Sequence, residues 1–285
     1  MNAAVSCKNV TKRYDGFVLE NLNLEIPTGT IVGFVGENGA GKTTTIKAML
    51  DLVHPDEGSI TVLGEDSRNL SRKGKEKIGV VFDGCHLPKE LKVSQVEKLF
   101  RTMYSTWDDV YFTQLMKQFR LDGGKRVKDL SRGMQMKLAI AGALCHHSEL
   151  LLLDEATSGL DPVVRDEILD IFLEFLQEES HTILLSSHII SDIEKVADYV
   201  AFIHQGKLVF MEEKDILKDT YGMAVCGKEE AERVPKEWIA GSRTSAFNTT
   251  LLVRGREKVS HILHREVPAA SMEDILLYLS KEDAR

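Results

Sequence analysis

The stretch GENGAGKT, residues 36–43, constrains this chain more than any other. It fits G-x-x-x-x-G-K-[ST], and its setting fits too. A β-rich run, residues 30–35, precedes it, and Ile46, Met49, Leu50 and Val53 follow at helical spacing. The motif thus joins a strand to a helix. Glycines let the backbone curl until successive N–H groups face one anion, and the helix N-terminus adds partial positive charge. Gly36, Asn38, Gly39, Ala40, Gly41, Lys42, Thr43 and Thr44 are the candidate phosphate holders. Lys42 can reach the β- and γ-phosphates, and the Thr43 hydroxyl can ligate Mg²⁺. The bland alternative, a glycine-rich turn, leaves the lysine and threonine unexplained.

Composition narrows the class. The 285 residues are 43% hydrophobic and 28% charged, ordinary for a globular chain with a substantial core. Acidic residues outnumber basic ones, 44 to 36, giving a formal net charge of −8. That balance argues against a broad nucleic-acid footprint. Cys7, Cys85, Cys145 and Cys226 are widely spaced with no C-x-x-C pair, so reduced thiols are expected rather than disulfides or a zinc site. The best apolar run, residues 138–153, is broken by His146, His147, Ser148 and Glu149. The first residues lack the apolar core of a signal peptide. Membrane association is therefore expected only through a partner.

Periodicity gives the outline. Residues 5–14 and 17–26 read as two strands around a turn at Asp15-Gly16. Residues 78–82, 182–186 and 199–204 read as further strands, with a helix near 190–197. The apolar run 150–153 ends in two acids, as in a strand buried on both faces. Val164, Ile168, Ile171, Phe172, Phe175 and Leu176 mark an amphipathic helix. Alternating strands and helices predict an α/β fold with a mainly parallel sheet and an N-terminal antiparallel β subdomain. Residues 87–145 are too long for a simple crossover and predict an inserted helical subdomain, with Phe112, Leu115, Met116 and Phe119 on one face. The main domain is expected over 1–219, followed by a small α/β extension over 220–285. In that extension 249–253 reads as a strand and 272–279 as a helix.

Two more motifs carry chemistry. In LLLLDEATSGLD, residues 150–161, Asp154 ends a buried strand and can hold Mg²⁺ directly or through water. Glu155 can accept a proton from an attacking water. Alone, such a pair also reads as a solvated loop or a helix cap. In LSRGMQMKLAIAGAL, residues 130–144, Ser131 and Gly133 can open a helix that binds an anion, or Ser131 can simply cap it.

The P-loop, LSRGM, LLLLDEATSGLD and a downstream LLSSH, in this order, resemble the nucleotide-binding subunit of an ATP-binding-cassette (ABC) transporter over roughly residues 4–215. The resemblance implies a P-loop NTPase core that hydrolyses ATP with Mg²⁺. It implies that Tyr14 stacks on adenine, that Glu155 is the general base, and that His188 contacts the γ-phosphate. Thr43 and Asp154 would stand on the metal side, and residues 158–161 would cross a dimer interface. Ser131, Arg132, Gly133, Met134 and Asp161 would meet ATP held by a second copy. It further implies a separate transmembrane permease, a peripheral position on the inner face of the cell membrane, and no nucleic-acid partner. The single cassette and the ending over 269–276 resemble exporter ATPases for peptides, antibiotics or toxins.

Two sites, comprising three residues, depart from the family pattern. LSRGM stands where the family usually reads LSGGQ, so Arg132 replaces a glycine and Met134 a glutamine. Asp83 stands where a glutamine usually touches Mg²⁺ and the attacking water. A carboxylate can bind Mg²⁺ but cannot donate a hydrogen bond unless protonated. Asp83-Gly84 is also a common turn pair. A soluble ABC-type ATPase without transport is the alternative function. A P-loop small-molecule kinase gives no reason for LSRGM or TSGLD.

Overall fold

The computed structural model describes residues 2–282. Contacts divide the chain into two compact units, Met1–Met211 and Glu212–Arg285. The expected boundary at residue 219 lies within a helix of the second unit.

The first unit opens with β1 (Ala3–Tyr14) and β2 (Phe17–Pro27), an antiparallel hairpin closed at Tyr14↔Phe17. Gly16, at φ 80°, supplies the left-handed residue such a turn needs. β3 (Ile31–Val35) is buried throughout and leads into α1 (Lys42–Met49). The helix stops short of Val53 because Asp51 turns left-handed, at φ 55°. β4 (Glu57–Val62) and β5 (Glu65–Asp66) complete a four-stranded sheet of order β2-β1-β4-β5. After α2 (Arg72–Glu76) comes β6 (Ile78–Val81).

The expected insertion follows as α3 (Val93–Met103), α4 (Asp109–Gln118) and α5 (Arg132–Leu144). Phe112, Leu115 and Phe119 are buried, as their spacing requires. Phe100 stacks on Trp107 with centroids 5.5 Å apart, and Trp107 leans on Phe112 at 5.2 Å. Gly142 admits Phe100: a Cβ there would lie 2.5 Å from the ring.

The chain then returns through β7 (Leu150–Asp154), α6 (Pro162–Phe175), β8 (Thr182–Ser187), α7 (Ile190–Val196), β9 (Tyr199–His204) and β10 (Lys207–Glu213). The second sheet has the order β10-β9-β3-β8-β7-β6. β9, β3, β8, β7 and β6 pair in parallel. Leu150 to Leu153 are each 0% exposed, so this strand is covered on both faces.

The second unit runs through α8 (Lys214–Thr220), β11 (Tyr221–Cys226), α9 (Lys228–Arg233), β12 (Ile239–Thr244), β13 (Thr249–Arg254), α10 (Arg256–Leu263) and α11 (Met272–Glu282). Its antiparallel sheet, β11-β13-β12, has a small core of its own that includes Leu251, Val253, Val259 and Leu263.

All four cysteines are free. Burial pushes the Cys7 thiol up to about 12 and raises Cys145 as well, so neither is a ready nucleophile. His146 is 1% exposed and stacked on Tyr104 at 4.0 Å. Its Nδ1 donates to the Glu76 carbonyl at 2.8 Å, and Nε2 is buried without a partner. Burial lowers its pKa from the ordinary 6.5. The folded ring thus stays neutral while the unfolded one takes a proton as pH falls. This contribution is present above about pH 6.5 and is lost below it. Urea midpoints should fall from pH 7 to pH 5.5 in the native chain. His146→Asn keeps an amide donor for Glu76 without a titrating ring, so its slope should be shallower. Parallel slopes would remove His146 as a contributor.

Candidate active site

The loop between β3 and α1 curls because its glycines admit neighbours that a side chain would displace. A Cβ on Gly36 would lie 2.4 Å from the Ile203 carbonyl oxygen, and Gly41 sits at φ 115°. The loop lines a cleft of about 650 Å³ with Asn38, Gly39, Gly41, Lys42, Thr43 and Thr44. Ala40 is buried behind them, and its carbonyl accepts from Gly206 N. Lys42, 5% exposed, donates from Nζ to the Gly36 carbonyl at 2.6 Å and the Glu37 carbonyl at 3.2 Å.

Parallel register sets the acids opposite this loop. β7 and β8 pair Asp154 with Ser186, while β3 and β8 pair Val35 with Ser187. Asp154 is 2% exposed, and both of its oxygens are occupied. Thr43 Oγ1 donates to Oδ2 at 2.7 Å and Ser186 Oγ donates to Oδ1 at 2.9 Å. Ser186 was not singled out from the sequence, although a Ser-Ser pair ending an apolar strand was the available signal.

Glu155 leaves β7 in a left-handed turn at φ 53°, uncommon for a residue with a side chain. The turn aims its carboxylate into the cleft, where it is a lining residue. His188 Nδ1 lies 2.6 Å from Oε2. Oε1 is buried without a hydrogen-bond donor; Lys42 Nζ at 3.4 Å makes only an ion contact. One carboxylate oxygen is therefore oriented, and the other is buried beside Lys42 with its hydrogen-bonding capacity unused.

At the cleft's aromatic edge, Tyr14 is 43% exposed and stacks on Phe17 with centroids 6.4 Å apart. Phe17, passed over in the sequence, is the aromatic that lines the cleft.

The residues expected to act on a second copy do not line this cleft. Ser131 caps α5, accepting from Met134 N at 3.3 Å, and Asp161 caps α6, accepting from Val164 N at 3.0 Å. A Cβ on Gly133 would lie 3.1 Å from Val164 Cγ1, so the glycine lets the start of α5 approach α6. Asp83 borders the same smaller cavity as Thr43 and Asp154, the position expected for a metal-side ligand. Its Oδ1, however, accepts from Arg132 at 3.1 Å.

The site suits a magnesium nucleotide on its own chemistry. Thr43 and Asp154 offer the hard oxygens Mg²⁺ prefers, beside a cavity with room for the waters it retains. The orphaned Glu155 oxygen and the glycine-bounded loop are what a water and a phosphate chain require.

Comparison with known proteins agrees. The ABC transporter family matches residues 19–158. The lantibiotic transport ATP-binding protein SrtF of Streptococcus pyogenes is 37% identical over 210 residues, covering 73% of this chain and 90% of that protein. The bacitracin transport ATP-binding protein BcrA of Enterococcus faecalis is 32% identical over 212 residues, covering 73% and 69%. A solved ATP-binding subunit of an ABC transporter superposes with a TM-score of 0.69 at 25% identity, covering 75% of this chain and 92% of that one. A glycine-bounded loop, a hydroxyl–carboxylate pair and an oriented glutamate on this sheet, together with these relatives, place the chain in the ABC transporter family as an ATP-binding, ATP-hydrolysing subunit.

Proposed function

We propose that two copies of this chain close on two ATP molecules and drive a separate membrane permease that exports peptide-like antimicrobial compounds. The observation that carries the chemistry is the Glu155 carboxylate, held by His188 on one oxygen and without a hydrogen-bond donor on the other. Glu155 takes the proton from a water whose oxygen attacks the γ-phosphorus, and the bond to ADP breaks in line. Lys42 leaves the loop carbonyls to neutralise phosphate charge. Thr43 and Asp154 would hold Mg²⁺, with Ser186 fixing the carboxylate. When bound, Mg²⁺ would supply positive charge against the charge of the phosphates. His188 keeps Glu155 aimed and presents its second nitrogen to the γ-phosphate. Tyr14 and Phe17 form the platform for adenine.

Ser131, Gly133, Met134 and Asp161 complete the partner's site. The start of α5 brings its partial positive charge to the opposing γ-phosphate. Support for an exporter comes from the relatives named for lantibiotic and bacitracin transport. Among the described residues no helix is long and apolar enough to cross a membrane, which fits attachment through a permease.

Glu155→Gln should bind ATP but turn over at least 100-fold more slowly, on the order of the usual loss of a general base. It should also accumulate as an ATP-bound dimer in light scattering with Mg-ATP. Near-native turnover would remove Glu155 as the base. Ser186→Ala should raise the Mg²⁺ concentration that half-saturates activity, because Asp154 loses an orienting donor; an unchanged Mg²⁺ titration would reduce Ser186 to a strand residue. Purification from native membranes should bring an integral membrane protein along in stoichiometric amount. Recovery of the chain from the soluble fraction alone, with full ATPase activity, would favour the non-transport alternative.

A further inference from the structure

Two side chains that depart from the family pattern meet each other. Asp83 follows β6, and Arg132 opens α5, 49 residues away. The Arg132 guanidinium donates to Asp83 Oδ1 at 3.1 Å. On another side it lies against Gly159, where a Cβ would come within 2.8 Å of Cζ. Gly159 is at φ 66° in the loop after β7. Arg132 therefore has a defined seat between the loop after β6 and the loop after β7.

The charges around the cleft give that seat a purpose. Its lining includes three carboxylates, Glu37, Asp83 and Glu155, against one ammonium, Lys42. That ammonium already faces Glu155 at 3.4 Å. Lys47 borders the adjoining cavity, and His86 Nε2 meets the Asp83 backbone carbonyl at 3.0 Å, but the carboxylate's contact is with Arg132. A triphosphate entering beside an uncompensated carboxylate meets like-charge repulsion. Where a neutral glutamine and a glycine occupy these positions, no such compensation is needed.

We propose that Arg132 acts within its own chain as the charge partner and positioning residue of Asp83, and that this pair lets the cleft accept a nucleoside triphosphate. The inference rests on the reading of the cleft as an ATP site. Both side chains are about half exposed, 53% and 59%, so the pair adds little to folding. Its effect falls on nucleotide affinity, and more on ATP than on ADP, because the terminal phosphate adds charge. It also differs from a contact made by Arg132 on a second copy's nucleotide: it operates in the monomer, and it depends on Asp83.

The test is a double-mutant cycle on the full chain, with affinities for ATP and ADP measured by calorimetry. EDTA removes any contribution of Asp83 through a metal, and light scattering verifies a monomer at the concentrations used. Arg132→Gln should weaken ATP binding about five- to tenfold, the scale of one partly screened charge pair, and ADP binding less. In an Asp83→Asn background the same substitution should cost less than twofold, by the rough scale of neutral surface changes. Thermal melts of all four chains should agree within a few degrees, which separates the effect from misfolding. Equal losses in both backgrounds would overturn the pairing and give Arg132 a direct phosphate role. An unchanged ATP affinity in Arg132→Gln would overturn it too. Failure of the native chain to bind ATP even with Mg²⁺ would overturn the ATP reading and the pairing with it, whereas native binding with additive losses rejects the pairing alone.

Discussion

The bond from Thr43 Oγ1 to Asp154 Oδ2, 2.7 Å long, ties the first residues of α1 to the end of β7. It exists only because β8 stands between β3 and β7 in strict parallel register. Residues 111 positions apart in the chain are thereby held within one hydrogen bond. Ser186, on the intervening strand, occupies the other oxygen of the same carboxylate. A slip of one residue on β8 would turn Ser186 to the opposite face and release Asp154. The apolar faces of these strands, buried on both sides, make such a slip costly.

A second constraint is electrostatic. Lys42 and the Glu155 side chain are largely buried, at 5% and 13% exposure. Burying either charge alone would cost several kcal/mol. Two backbone carbonyls and the facing carboxylate offset the cost for Lys42. His188 does so for one oxygen of Glu155. The other oxygen is buried without a hydrogen-bond donor, and Lys42 Nζ faces it at 3.4 Å. Asp83 is about half exposed, so its contact with Arg132 offsets no such burial cost and instead balances charge at the cleft's lining.

Away from the cleft lining, helix caps and a close approach fix two helix starts. Ser131 and Asp161 satisfy the first turns of α5 and α6 within the chain. Gly133 brings those two starts together. The second unit has its own three-stranded sheet and core.

The sequence by itself determined the parts whose chemistry is contiguous. A phosphate loop needs its glycines, lysine and threonine in one run, and an acid pair needs to follow a buried strand, so both could be read directly. The central strands were legible because burial on both faces leaves unbroken apolar runs such as 150–153. β4, β10, β11 and β12 were not, because their burial is partial or mixed along the strand and their residues carry no clear period. The end of α1 depended on one left-handed residue, Asp51, which spacing does not reveal. Only the tertiary structure decided which side chains meet. Ser186 reaches Asp154 through strand order, Phe17 rather than Tyr14 lines the cleft, and Arg132 finds Asp83 across 49 residues. Such contacts are set by register and packing between distant segments, and no local pattern encodes them.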